Sequence, residues 1–411
     1  MSDVTDSRAA WLRLAAIVAL STIGGVGMWS VVVVLPHVEA EFGASRGAAS
    51  LPYTLTMLGF GAGGILMGRL ADRFGIMVPV MGGAVALCAG YVVAGLAPSL
   101  LVFALAQGVL IGGLGASAAF GPLMADASLW FRRRRGIAVS LAAAGNYLAG
   151  AAWPPVLQAG IAAHGWRTTY VAVGFFCLLV MVPLALMLRR RPPALAVRTA
   201  AQLAEARGAR PLGLSPNGLT AVLCTAGVAC CVAMAMPQVH IVAYCGELGY
   251  GVARGAEMLS LMLGFGIVSR IASGFIADRI GGLRTLMLGS VLQGFALVLY
   301  LFFDGLTSLY IVSALFGLFQ GGIVPSYAVI VREHFRTGEV GTRVGIVLMS
   351  TLVGMALGGW MSGVVFDLSG SYDAAFLNGI AWNAVNVLIV AWLILRVRGA
   401  AAGPRPQAHP V

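Results

Sequence analysis

The chain contains no lysine; all 26 of its basic residues are arginine. That absence excludes a lysine Schiff base and a lysine nucleophile. Charge of either sign is scarce: 10% of the 411 residues are charged and 59% are hydrophobic, with a mean hydropathy of +0.92. A soluble domain is nearer half apolar and about a quarter charged. One of this size also needs a polar exterior that these residues cannot supply. The composition excludes a soluble fold and implies a chain that crosses a membrane many times. Cysteine is limited to Cys88, Cys177, Cys224, Cys230, Cys231 and Cys245, with no C-x-x-C pair among them. Adjacent Cys230 and Cys231 are poorly placed to bridge each other, so the cysteines read as packing residues. No metal-ligand cluster, phosphate-binding loop or nucleophile–base motif occurs, so no cofactor, no metal and no enzymatic activity is expected. The N-terminus lacks the short apolar core and small-residue cleavage site of a signal peptide, and its first apolar run reads as a retained helix.

A helix needs roughly 20 apolar residues to cross the hydrocarbon core. Such stretches fall near 11–35, 50–68, 76–97, 100–125, 137–159, 168–188, 217–243, 255–275, 284–303, 306–331, 344–365 and 375–396. The arginines test this order. Twenty-two of them fall in the termini and the even-to-odd loops, three (Arg46, Arg167 and Arg254) on the opposite side, and Arg270 inside a span. Positively charged loops stay in the cytoplasm, which predicts a multi-pass protein with both termini cytoplasmic. An arginine-only basic set suits a GC-rich genome, and a bacterial inner (plasma) membrane is the expected location. Topology thereby accounts for the net charge of +11, without a nucleic-acid partner. The expected division is an N-terminal six-helix bundle at 1–188, a linker at 189–216, a C-terminal bundle at 217–396 and a tail at 397–411.

The two halves repeat each other. MLGFGAGGILMGRLADRFG (57–75) matches MLGFGIVSRIASGFIADRIGG (262–282), with MLGFG recurring at an offset of 205 residues and G-x-x-x-D-R at 206. GPLMADASLWF (121–131) is echoed by VPSYAVIVREHF (324–335), Phe131 corresponding to Phe335 at offset 204. Gly68-Arg69-Leu70-Ala71-Asp72-Arg73-Phe74-Gly75 resembles the loop 2–3 signature of the major facilitator superfamily, and Gly274-x-x-x-Asp278-Arg279 is its copy in loop 8–9. The resemblance covers the whole chain. It implies an all-α integral membrane fold of twelve transmembrane helices in two pseudo-symmetric six-helix bundles. It also implies a conformational latch on the cytoplasmic face made by Gly68, Asp72, Arg73, Gly274, Asp278 and Arg279.

Arg270 stands inside the eighth span. The repeat places Gly64 at the matching position of the other half, so the fold itself does not require a cation there. An arginine near mid-bilayer costs about 2.5–3.5 kcal/mol on insertion scales and normally faces a water-filled cavity. Arginine does not lose its proton and grips carboxylates with two parallel hydrogen bonds. No acidic residue lies within two helical turns of Arg270, which favours an anion site over an internal ion pair.

Three stretches resemble the monocarboxylate transporter group and its bacterial relatives, including oxalate/formate-exchanger-like proteins. They are Arg270 followed by A-D-R; Trp130-Phe131-Arg132-Arg133-Arg134-Arg135-Gly136 with Ala142-Ala143-Ala144-Gly145; and Gly24-Gly25-Val26-Gly27-Met28-Trp29. The resemblance implies Arg270 as the substrate-binding arginine. The chain departs from the animal members at Gly266, where they carry an Asp, and at Pro36-His37, where they carry a Lys after the Pro. The proton-carrying group must differ, and His240, Glu247 and His37 are the candidates. Phe120, Tyr327 and Asn146 complete the candidate substrate contacts with His240. The expected function is alternating-access transport of a small monocarboxylate such as lactate or pyruvate together with a proton, by a monomer in the lipid bilayer. An organic-anion exchanger is an alternative. So is an exporter of hydrophobic or anionic compounds of the drug/proton antiporter type, which Gly136, Gly145 and Gly150 before Pro154-Pro155 resemble.

Overall fold

The computed structural model describes residues 6–131, 134–190, 214–335 and 339–401, so most of the expected linker and tail, with Arg132 and Arg133, lies outside the described residues. A chain inside a bilayer must satisfy its own backbone hydrogen bonds, which favours helices. The described residues are helical, with no strand among them. Twelve helices follow one another: α1 (Arg8–Phe42), α2 (Arg46–Phe74), α3 (Met77–Gly95), α4 (Leu100–Trp130), α5 (Arg135–His164), α6 (Trp166–Leu186), α7 (Pro216–Glu247), α8 (Val252–Ile280), α9 (Gly282–Phe302), α10 (Leu306–His334), α11 (Val340–Ser369) and α12 (Tyr372–Val397). All but α5 meet both a length and a composition test for crossing a membrane, and α5, at 30 residues, is about 45 Å long. Each expected span corresponds to one helix, and most helices run longer than the apolar stretch that marks them.

Serine hydroxyls start α1, α2, α4 and α7: Ser7, Ser45, Ser99 and Ser215 each accept from a backbone N–H three residues on. The two copies of the sequence signature end alike. Gly75 (φ 87°) and Gly281 (φ 82°) close α2 and α8 in the left-handed region, which only glycine enters freely. Phe131 and Phe335 both leave the ends of α4 and α10 in extended conformation, so the duplication seen in the sequence is a duplication of local geometry.

Each half contains a very close helix crossing at a corresponding position. A Cβ on Gly59 of α2 would stand 2.0 Å from the carbonyl oxygen of Gly108 in α4, and one on Gly63 would stand 1.7 Å from that of Gly113. In the C-terminal half, a Cβ on Gly317 of α10 would stand 1.9 Å from the carbonyl of Met262 in α8, and one on Gly321 2.3 Å from that of Gly266. Helices in lipid gain little from hydrophobic burial against each other, so backbone contact through small residues supplies the packing. At this crossing α4 is π-helical over Ala106–Gly115 and restarts at Gly121, ahead of Pro122.

The termini and the even-to-odd connections share one face, here the terminal face; the odd-to-even connections within each half share the far face. The halves meet along α2–α11, α5–α8 and α1–α7. A second tie holds α1 to α4 within the N-terminal half. Arg13 donates from Nε to Asp126 Oδ2 at 2.7 Å and from Nη2 to Oδ1 at 2.9 Å, with both side chains buried and the guanidinium 4.5 Å from the Trp130 ring. Breaking a buried pair by deleting one partner strands the other, at a cost of about 3–5 kcal/mol. Asp126→Ala is therefore expected to lower the thermal midpoint of the purified protein sharply, and Asp126→Leu combined with Arg13→Met to recover most of it. A single variant that melts like the parent contradicts the assignment. Gly59→Ala, whose new methyl meets the Gly108 carbonyl, is expected to yield aggregated protein on size-exclusion chromatography, while Gly82→Ala, with nothing within 4 Å, elutes like the parent.

Candidate functional site

Arg270 lies ten residues, or roughly 15 Å, from the terminal-face end of α8, on the side that meets α5. Its guanidinium carbon is 4.2 Å from the centroid of the Tyr147 ring in α5. Its polar contacts are long: Nε to the Gly321 carbonyl at 3.5 Å and Nη1 to the Ala143 carbonyl at 3.4 Å. Among the described residues no carboxylate pairs with it. The side chain is half-buried, held in place by an aromatic face, and most of its hydrogen-bonding capacity is unspent.

Contacts between the halves are found down to the level of the cation. Gly61 of α2 still touches Met349 of α11, and Gly266 touches Tyr147. Toward the terminal face, Gly64, Gly68, Gly274, Gly341 and Gly345 have nothing within 4 Å of where a Cβ would stand. The end segments of α4 and α10 make their main contacts within their own halves. Asp72, Arg73, Asp278 and Arg279 are exposed, Gly274 with them and Gly68 half-exposed, and no ion pair among the described residues involves either Asp72 or Asp278.

The other residues singled out from the sequence are dispersed. His240 of α7 is fully buried, with Nε2 2.8 Å from the Gly359 carbonyl of α11 and its ring 5.9 Å from that of Tyr372. A carbonyl only accepts, so Nε2 carries the hydrogen and Nδ1 is the free lone pair; no described group hydrogen-bonds to Nδ1. Glu247 is exposed at the far-face end of α7, where its carboxylate accepts from Arg46 at 2.7 Å. His37 is half-buried on α1 toward the same face, its Nδ1 without a described partner. Asn146, beside Tyr147, turns its side chain toward Gly25 of α1, and its backbone carbonyl accepts from Trp29 at 3.2 Å. Trp29 thereby seats the Gly24–Trp29 stretch against α5. Phe120 is half-buried against Phe60, ring centroids 5.7 Å apart. Tyr327, expected to mirror it, is fully buried inside the C-terminal half and accepts from Asn386 at 2.8 Å. The sequence symmetry of these two aromatics is not a symmetry of surroundings, because α12 supplies an amide where the N-terminal half offers an open side.

Sequence reasoning missed Tyr147 and a buried amide pair, in which Gln238 of α7 donates to Gln320 of α10 at 2.7 Å, one residue from the Gly321 carbonyl near Arg270. The adjacency of Tyr147 to Asn146 was the available signal for the first; nothing in the sequence pairs the two glutamines.

The Major Facilitator Superfamily model matches residues 17–308 and 221–410. Monocarboxylate transporter 13 of Bos taurus is 30% identical over 310 residues, covering 75% of this chain and 71% of that one. The uncharacterized MFS-type transporter YcxA of Bacillus subtilis (strain 168) is 26% identical over 356 residues, 82% of this chain and 83% of that one. Among solved structures, a bacterial homolog of the human lysosomal transporter Spinster, crystallised inward-facing and unoccupied, superposes with a TM-score of 0.73 at 16% identity over 98% of this chain and all of that one, a likeness of fold. The chain belongs to the Major Facilitator Superfamily, a family of multi-pass membrane transporters.

Proposed function

We propose that this transporter carries a small monocarboxylate across the membrane together with a proton, by alternating access around Arg270. The carrying observation is a half-buried guanidinium at the edge of the inter-half seam with no carboxylate of its own among the described residues. A substrate carboxylate would take the two N–H groups that now make long carbonyl contacts, gaining charge-assisted hydrogen bonds at mid-depth. One cation suits a monoanion. The relatives named as monocarboxylate transporters support the same substrate class. The free Nδ1 of buried His240 is an unpaired proton acceptor, which makes His240 the first candidate for coupling, ahead of Glu247 and His37. The arginine distribution supports a cytoplasmic terminal face, and the empty space beside Gly64, Gly68, Gly274, Gly341 and Gly345 supports an opening on that side. The exposed Asp72–Arg73 and Asp278–Arg279 signatures then form a disengaged latch, which would close when the opposite side opens. Export of a hydrophobic anion is a second reading, favoured by the Tyr147 ring face that packs on Arg270.

Proteoliposomes holding an inward proton gradient test the first reading. A charge-assisted contact is worth about 1.5–3 kcal/mol, so Arg270→Gln is expected to reduce labelled lactate uptake at least about tenfold relative to the parent. Uptake equal to the parent's removes Arg270 from the site; no uptake by the parent rejects lactate and turns the assay to larger aromatic acids. Tyr147→Leu is expected to raise KM for the same substrate, while Tyr147→Phe, which keeps the ring face, stays near the parent. His240→Gln separates coupling from binding: gradient-driven accumulation is expected to vanish while substrate counterflow persists. Accumulation that survives shifts the proton to Glu247 or His37.

A further inference from the structure

On the far face, one side chain holds the two halves together. Arg46, the first residue of α2, is 7% exposed. Its Nε lies 2.8 Å from Glu39 of α1, within its own half. Its remaining contacts cross to the other half. Nη2 donates to Glu247 of α7 at 2.7 Å, Nη1 donates to the Tyr372 hydroxyl of α12, and the guanidinium carbon is 4.5 Å from the centroid of the Phe366 ring in α11. The backbone joins in. Asp367 of α11 accepts from the N–H of Arg46 at 2.8 Å and of Gly47 at 2.7 Å, so the start of α2 is capped by a carboxylate from the opposite half. Gly363 permits this approach, since a Cβ there would stand 2.8 Å from the Arg46 carbonyl.

Beneath this polar layer sits an apolar one. Tyr53 of α2, 1% exposed, fills the space beside Gly359 of α11, where a Cβ would stand 2.8 Å from its ring and 3.2 Å from Val239. The Gly359 carbonyl is the acceptor for His240. Beside the hub lies a hollow of about 220 Å³ lined by Pro36, Glu39, Ala243, Glu247 and Val252 among others.

We propose that Arg46 is the hub of a far-face gate, with Glu247, Asp367, Tyr372 and Phe366 as its detachable side and the Tyr53–Gly359 contact as the seal below. Opening separates the hub from four groups of the C-terminal half at once. Glu39 travels with Arg46, so the guanidinium is never stranded when the gate opens. The freed Glu247 and Asp367 lie at helix ends near the hollow and hydrate. The gate is thus asymmetric: three of its side-chain anchors stabilise the closed state alone, and Glu39 stabilises Arg46 in both states. An interaction present in both states shifts the equilibrium little, which gives Glu39 and Glu247 different expected phenotypes although both pair with the same guanidinium. The proposal holds for any transported anion.

Leu96, just past the end of α3, and Leu368, in the last turn of α11, lie on the far face, one in each half, and are 71% and 84% exposed. Spin labels at Leu96→Cys and Leu368→Cys, read by double electron–electron resonance on the purified full chain without substrate, report far-face separation. The protein with its native cysteines alone measures background labelling. The doubly labelled parent is expected to show mainly a short-distance population. Arg46→Gln is expected to add a longer-distance population, raising the open-to-closed ratio about tenfold or more, because the closed state alone forfeits its charge-assisted hydrogen bonds across the seam. Glu247→Gln and Tyr372→Phe, each removing one crossing hydrogen bond, should fall between, and they decide the matter if Arg46→Gln does not fold. Glu39→Gln should not widen the distribution, because Glu39 also faces the carboxylates of Glu247 and Asp367 across the seam and its neutralisation relieves that repulsion in the closed state. Unchanged distances in all three crossing variants overturn the gate. A widening in Glu39→Gln as large as in Glu247→Gln overturns the asymmetry and reduces Arg46 to a general staple.

Discussion

Two pairs of helices, at corresponding places in the two halves, meet at backbone contact, and the seams between the halves are arranged around them. The carbonyls of Gly108 and Gly113 occupy the space where side chains of Gly59 and Gly63 would be, and those of Met262 and Gly266 do the same for Gly317 and Gly321. Contacts that short leave no slack for sliding within a half. The proposed motion therefore runs between halves, along the α2–α11, α5–α8 and α1–α7 seams. The close crossings also place α2 and α8, which carry the duplicated signature, at corresponding positions in each half, and α8 brings Arg270 to the α5 seam with them.

Three arginines within these helices show how local chemistry assigns different work to one residue type. Arg13 is gripped on two sides by buried Asp126 and ties α1 to α4 inside one half. Arg46 is saturated by groups drawn from both halves, so its satisfaction depends on their relative position. Arg270 has an aromatic face, two long carbonyl contacts and no described carboxylate. A cation at that depth with unspent donors is costly, and the most economical resolution is that a substrate completes it. Contacts tie the first arginine to folding; the second is proposed for conformational exchange and the third for recognition.

The sequence carries the fold well because the bilayer simplifies the reading: apolar length, arginine bias and an internal repeat are strong signals, and Phe131 with Phe335 and Gly75 with Gly281 fall into matching geometries. Arg270 is legible because a charge among apolar neighbours needs no partner to be conspicuous. Arg46 is visible only as one of three arginines on the sparse side. Its partners Glu247 and Asp367 lie 201 and 321 residues away, and a single sequence gives no means of pairing such charges. Glu247 reads from the sequence as a proton carrier for the same reason. Tyr147 is invisible there because an aromatic in an apolar helix looks like packing, and Tyr327 misleads because repeat symmetry fixes position in a half without fixing what the neighbouring helix contributes.

The central claim is that a single guanidinium selects the cargo by its negative charge. Isothermal titration calorimetry of the purified protein with lactate and with lactamide, its uncharged amide of nearly the same shape, addresses that directly. The account predicts heat of binding for the acid and none for the amide at the same concentration. Equal affinity for the two would show that the site reads shape alone and that Arg270 is not its anchor.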